Sequence, residues 1–143
     1  MRSNSSEEVK NFSVEDLANE VNLCLAIVSN RRLSKRLRTA TEVKLSEVFA
    51  ISSERGIFKS LVAKLSTNGV MIGEVSPYLS GVQLWTLVLM SAEVANAALS
   101  QIQARNPKLS PEEKREVLSK IRLLDTASRD MARRLCLRAP VAA

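Results

Sequence analysis

The sequence contains no histidine. It therefore lacks the side chain that most often serves as a general base near neutral pH and as a metal ligand. Aromatic residues make up only 3%, and glycine and proline number four each. All-β folds draw heavily on aromatic pairs and Gly/Pro turns, so that class is excluded. The two cysteines, Cys24 and Cys136, lie far apart and form no CxxC pair. Neither a zinc site nor a disulfide framework is readable from them, and a reducing compartment is expected. Gly56, Gly69, Gly73 and Gly81 match neither GxGxxG nor GxxxxGK[ST], so no phosphate-cradling loop is present. Nothing in these residues argues for an enzyme or for a cofactor. The longest uncharged stretch, Val75 to Ala92, contains Ser76, Pro77, Ser80, Gly81, Gln83, Thr86 and Ser91. A bilayer span needs about 20 mostly apolar residues, so a buried helix is expected and no membrane partner. The opening MRSNSSEEVKN has no apolar h-region. A soluble, intracellular chain is the expectation.

What the sequence does have is aliphatic bulk and unevenly placed charge. Apolar residues reach 45% and charged residues 25% of 143, the composition of a single globular domain with a packed core. The net charge is +6. Residues 1–30 hold five acids and two bases, whereas residues 31–38, RRLSKRLR, hold five bases and no acid. Residues 39–104 are nearly neutral, and residues 105–143 hold ten bases and five acids. Two basic regions flanking a neutral middle suit a polyanion groove.

The pattern along the chain predicts helices. Residues 1–12 read as a polar, flexible arm. Ser13 is a helix cap followed by Glu15 and Asp16 in the first turn. Leu17, Val21, Cys24, Leu25 and Val28 then line one face of a helix over 14–29. A second helix is expected over about 33–50, with a break at Thr39-Ala40-Thr41, and a shorter one over 57–65. Val70 to Val75 reads as a short strand or extended link. Ser76-Pro77 is a helix start, and a third long helix should run from about 77 to 104. Ser110, Pro111 and Glu113 form a capping box for a last helix reaching about 137, on whose apolar face Ser128 is an interruption. The expected fold is all-α: a four-helix bundle over residues 13–138, with a very short β element before the third long helix and a tail over 139–143.

Two features point to function. LSEVFAISSERGIFKSLVAKLSTNGVMI has the helix–break–helix–turn–extended order of a winged-helix DNA-binding regulator, with the later helices as a dimerisation unit. The second feature is an ungapped set: Asn22-Leu23-Cys24, Asn30, Arg38-Thr39 and Ser46-Glu47-Val48, followed by the aromatic Phe49. This set resembles the coat proteins of tobamoviruses and related rod-shaped plant RNA viruses, which carry the same residue types at the same separations. The Asn106-Pro107 break before the last long helix, and Arg122 followed by Asp125 within it, are also similar. The resemblance is residue-specific over about 22–49.

The resemblance implies a structural coat protein, not an enzyme. Many copies would polymerise helically around single-stranded genomic RNA, in the host cytoplasm and then in the virion. It implies RNA contact by Arg38 and Thr39, where an arginine fork holds phosphate. On the last helix it implies Arg122 with Asp125, whose carboxylate accepts from a ribose 2′-hydroxyl. Ser128 and Arg129 lie one turn further. The family's arginine-rich turn after the third helix is reduced here to Arg105. Glu47 corresponds to one half of an intersubunit carboxylate pair, and Glu74 is the nearest partner, Ser76 standing where the family has an aspartate. Two carboxylates held close repel when both ionise, so such a pair would loosen a rod as pH rises. Cys24 and Trp85 read as core residues.

Overall fold

A computed structural model describes residues 6–142, with side chains from Glu8 onwards. The fold is all-α, and among the described residues the only β pairing is an isolated bridge. The chain forms two compact units, Met1–Leu79 and Ser80–Ala143, instead of one bundle of four long helices.

The first unit contains α1 (Ser6–Val9), α2 (Val14–Ser29), α3 (Lys35–Glu54), α4 (Phe58–Thr67) and α5 (Ile72–Val75), followed by a 3-10 turn over Ser76–Tyr78. The Ser13 hydroxyl accepts from the Asp16 amide at 3.1 Å and starts α2 at the residue the sequence indicates. Leu17, Val21 and Cys24 of α2 are buried with Leu45, Val48 and Phe49 of α3 and Leu61, Val62 and Leu65 of α4. Phe49 and Phe58 meet edge to face, with centroids 6.4 Å apart and planes at 77°. The break expected in α3 is absent. Thr41 takes the apolar register position and is buried, its hydroxyl donating to the Leu37 carbonyl at 2.8 Å. Gly56, at φ 72°, ends this region in the left-handed conformation that a side chain disfavours.

Two expectations for this unit are corrected. The extended run over 70–75 is helical in its second part. A period of two would group the charged Glu74 with Val70 and Ile72. A helical turn instead buries Ile72 and Val75 together and lets the Glu74 carboxylate accept from the Met71 amide at 2.9 Å. The arm over residues 1–12 falls partly outside the described residues. Its described part does pack: Val9 is fully buried, α1 lies against α3, and the Phe12 carbonyl accepts from the Arg55 guanidinium at 2.6 Å.

The second unit contains α6 (Gly81–Met90), α7 (Ala92–Arg105), α8 (Pro111–Lys120), a 3-10 turn over Ile121–Leu123, and α9 (Thr126–Arg138). The third long helix is thus split. Ser80 and Gln83 form a capping box that restarts the helix after the 3-10 turn, and Ser91 is extended at φ −164° and ψ 157°. An unbroken helix from Gly81 to Arg105 would be about 38 Å long, and its first half is apolar nearly all round. The break lets α6 and α7 bury Leu84, Leu87 and Val88 with Ala95, Ala98, Leu99 and Ile102 in one core.

The last helix is split too. Leu124 is extended, at φ −83° and ψ 162°, and α9 restarts at Asp125. The restart shifts the register, so that α8 buries Val117 while α9 buries Ser128, Ala132 and Cys136. The tail expected over 139–143 is likewise corrected through Ala142. Leu109 donates to the Pro140 carbonyl and accepts from the Ala142 amide, both at 2.9 Å, and Lys114 Nζ donates to the Ala139 carbonyl at 2.6 Å. Among the described residues no helix is long and apolar enough to cross a membrane.

The first turn of α6 passes close to Pro107, two residues after α7. A β-carbon placed on Gly81 would lie 2.5 Å from Cβ of Pro107, and a proline ring cannot swing aside. Gly81→Ala should therefore cost about 1–3 kcal/mol, the usual range for overpacking. Gly73→Ala, where an added β-carbon meets nothing within 4 Å, should be neutral or slightly stabilising. Urea denaturation followed by helical circular dichroism compares the two, and Trp85 fluorescence reports the second unit separately.

Candidate nucleic-acid interface

The basic run is built around a two-cap turn. The helix α2 ends where Ser29 turns its hydroxyl back to the Leu25 carbonyl at 2.8 Å. Asn30 then accepts the Arg32 amide on its side-chain oxygen at 3.0 Å and the Leu33 amide on its carbonyl at 3.2 Å. Ser34 starts α3 by accepting from the Leu37 amide at 3.2 Å. This geometry leaves Arg31, Arg32, Lys35 and Arg36 exposed. Arg38, one turn into α3, is half-buried, and its Nε is buried with no hydrogen-bond partner among the described residues. Thr39 beside it is exposed. None of the five cations forms an ion pair among the described residues, and the first turn of α3 holds no acid.

Cations at a helix N-terminus oppose the helix dipole and one another. Their clustering here works against folding and favours an external polyanion.

The cationic turn is anchored by a buried ion pair that the sequence reading did not single out. Lys44 Nζ of α3 lies 3.2 Å from Glu20 Oε1 of α2, with the two side chains 13% and 2% exposed. The signal was present. Glu20 falls three residues after Leu17 and four before Cys24, so it occupies a core position of the helical stripe. The pair borders Cys24, whose thiol is pushed up to about 11, first by burial and then by the Glu20 carboxylate, with Lys44 acting in the opposite sense.

Glu47 and Glu74, expected to pair between subunits, are both exposed in the first unit, and Glu74 is engaged locally as the cap on the Met71 amide.

The other residues implied by the resemblance lie in the second unit. Arg105 is exposed in the last turn of α7. Arg122 and Asp125 are both exposed but do not share a helical face. Arg122 sits in the 3-10 turn, Asp125 is the first residue outside α9, and Leu124 between them is extended. The expected i,i+3 juxtaposition on one helix is corrected accordingly. Ser128 points inward, 6% exposed, and its hydroxyl lies 3.5 Å from Asn96 Oδ1. It therefore ties α9 to α7 and does not line an open groove. Arg129 is half-buried, its Nη2 donating to the Leu124 carbonyl at 3.1 Å, so it holds the helix break. Exposed Arg133, Arg134 and Arg138 continue the positive charge of α9.

Comparison with known proteins finds no family model, no curated protein and no solved structure that matches this chain.

Removing one member of a buried pair leaves the other charge uncompensated, which costs about 3–5 kcal/mol. Lys44→Met should lower stability by about 3 kcal/mol, at the low end because Lys44 keeps some exposure. The double variant Glu20→Leu with Lys44→Met should recover most of that loss in urea melts.

The Cys24 thiol gives a pH signature. Between pH 9 and about 11 the unfolded thiol has released its proton and the folded one has not. The folded state then binds more protons, so stability falls as pH rises through that window and is unaffected below it. Cys24→Ala should flatten this decline. The measurement is the slope of unfolding free energy against pH, compared with wild type.

Proposed function

We propose that this chain binds single-stranded RNA and packages it as the repeating subunit of a helical coat. The observation that carries the reading is the exposed, unpaired cationic turn at the start of α3. Four exposed cations and the half-buried Arg38 crowd a positive helix end without a compensating acid. Phosphates following one another along a strand would neutralise them in sequence, releasing counterions as they bind. The exposed guanidinium groups of α9 and Arg122 give the second unit its own phosphate-binding capacity. Assembly into a rod rests on the Asn22-to-Phe49 spacing and on the coat proteins it resembles. The winged-helix reading lacks that residue spacing, and the extended run it needs after Gly69 is only Val70 and Met71 before α5 begins at Ile72.

Binding of this kind is electrostatic and only weakly sequence-selective. Arg36→Ala and Arg38→Ala should each weaken binding of a labelled single-stranded RNA oligomer and flatten its log–log salt dependence by roughly 0.7 per lost phosphate contact. Circular dichroism should remain that of the folded chain. Arg38→Lys should give an intermediate loss, because lysine keeps the charge but not the fork. Unchanged salt slopes in both alanine variants would remove the α3 turn from the interface. Electron microscopy of the full chain with and without RNA in mildly acidic solution tests the coat: rods or discs support it, and a uniform small species overturns it.

A further inference from the structure

A cleft of about 500 Å³ opens in the first unit between α2 and the turn that joins α4 to α5. That volume lies within the range of small-molecule sites, roughly 300–1,000 Å³. Its polar lining comes from Asn22 and Ser29 of α2 and from Asn68, Glu74 and Tyr78 after α4. Val28 and Val70 are among its apolar walls. The carboxamides of Asn22 and Asn68 and the Tyr78 hydroxyl make no hydrogen bond among the described residues. Glu74 uses Oε2 to cap Met71, which leaves Oε1 available. Burial, and then the Glu42 carboxylate, raise the Tyr78 hydroxyl above its ordinary range, so at neutral pH it is a donor beside an aromatic face. Tyr78 is the only tyrosine in the chain.

We infer that this cleft is a binding site for an amino-bearing nucleobase (adenine, cytosine or guanine), stacked on Tyr78 and read at its edge by Asn22, Asn68 and Glu74. Three features select that chemistry. No lysine or arginine lines the cleft among the described residues, and one carboxylate does. An anionic group is therefore repelled, and what the cleft buries must present donors and no negative charge. The carboxylate needs a donor, which an exocyclic amine supplies, whereas uracil offers only its ring N3–H between two carbonyl oxygens that the carboxylate repels. Paired carboxamides offer the donor–acceptor edge that a base presents, and a tyrosine ring offers the flat surface on which bases stack at about 1–3 kcal/mol each.

The base can come from a free nucleoside or from a bound strand. The second source rests on the RNA reading above. For it the structure offers a route: Ser29 lines the cleft, and Arg31 and Arg32 follow it after Asn30. A strand whose phosphates lie on those arginines would have a base within reach of the cleft.

The test uses the full chain labelled with nitrogen-15. Adenosine, cytidine, uridine and methyl glucoside are titrated while the side-chain amide signals of Asn22 and Asn68 are followed. Adenosine or cytidine should move both signals, with affinity nearly independent of salt, and uridine should bind at least about 10-fold more weakly. Asn68→Ala should cost about 10-fold in nucleoside affinity. Glu74→Gln keeps an acceptor for the Met71 amide and turns the other position into a donor, so the preference for cytidine over uridine should shrink or invert. The proposal is overturned if no nucleoside moves the amide signals, if methyl glucoside binds as well as adenosine, or if Glu74→Gln leaves the base preference unchanged. The two readings fail separately. RNA binding that ignores Asn68→Ala, with no nucleoside binding, removes the cleft and keeps the cationic turn. Nucleoside binding without RNA binding keeps the cleft and removes the coat.

Discussion

The first unit depends on the ion pair between Glu20 and Lys44. A carboxylate with 2% exposure cannot be left alone, because the cost of burying an unpaired charge is several kcal/mol. Lys44 must therefore face Glu20, and that requirement fixes the register of α3 on α2. A slip of one turn would place Thr41 or Val48 near Glu20, and neither carries a charge. The aliphatic contacts around the pair are far less particular. Leucine, isoleucine and valine exchange places at modest cost, so apolar packing supplies the drive and the charge pair supplies the alignment. Once α3 is aligned, the short connection through Asn30 and Ser34 has little freedom, and the five cations at the start of α3 are held on a fixed surface.

The second unit solves a different problem, an excess of apolar surface with few aromatics to fill space. Its sequence could form two long helices, yet Ser91 and Leu124 are both extended. The break at Ser91 turns a long helix, apolar nearly all round in its first half, into two short ones that cover one another, and the break at Leu124 resets the register between α8 and α9. Close approach then becomes the constraint. Ala95 and Ala98 lie in the core of this unit, Gly81 admits the Pro107 ring, and Ser128 meets Asn96 as α9 packs on α7. Arg129, bound to the Leu124 carbonyl, stabilises the break that turned Ser128 inward. The guanidinium that the coat resemblance assigns to RNA is therefore partly committed to the fold.

Local signals were legible where the chain's own chemistry decides. Ser13 starts α2 and Asn30 ends it as the sequence indicates, and Ser110 with Glu113 opens α8 by the expected capping box. The all-α class followed from composition and period. The breaks were not legible. Ser91 and Leu124 are ordinary helix-tolerant residues, and only the need of each half-helix for cover makes them turn. The strand expected over 70–75 failed for a related reason, since β-branched residues there read as extended until Glu74 is seen to cap Met71. The candidate interface was half legible. A run such as RRLSKRLR announces itself, and its exposure follows from the caps around it. The cleft formed by Asn22, Asn68, Glu74 and Tyr78 carries no sequence signal, because its residues meet only through the packing of α2 on α4 and the turn after it.

The two candidate surfaces of the first unit divide polar chemistry in a way that a single basic patch does not. The turn at 31–38 carries the charge, and the hollow beside it, lined by Ala26, Ile27, Asn30, Leu33 and Leu37, is mostly apolar. The cleft has hydrogen-bonding groups and, among the described residues, no cation. A simple salt-dependent patch would bind heparin, duplex DNA and RNA with little distinction, since it senses only charge density. A hydrogen-bonding cleft with a single carboxylate beside such a patch would change the selection rule. It favours a polyanion whose uncharged parts can leave the strand and be buried singly. Duplexes keep their bases stacked and paired, and opening a pair costs a few kcal/mol. Single strands present bases at much lower cost. On the binding proposed above, the arrangement would discriminate by what the ligand can expose as much as by its charge. That discrimination depends on α2 contributing to both surfaces, with Asn22 and Ser29 toward the cleft and Asn30 leading into the cationic turn.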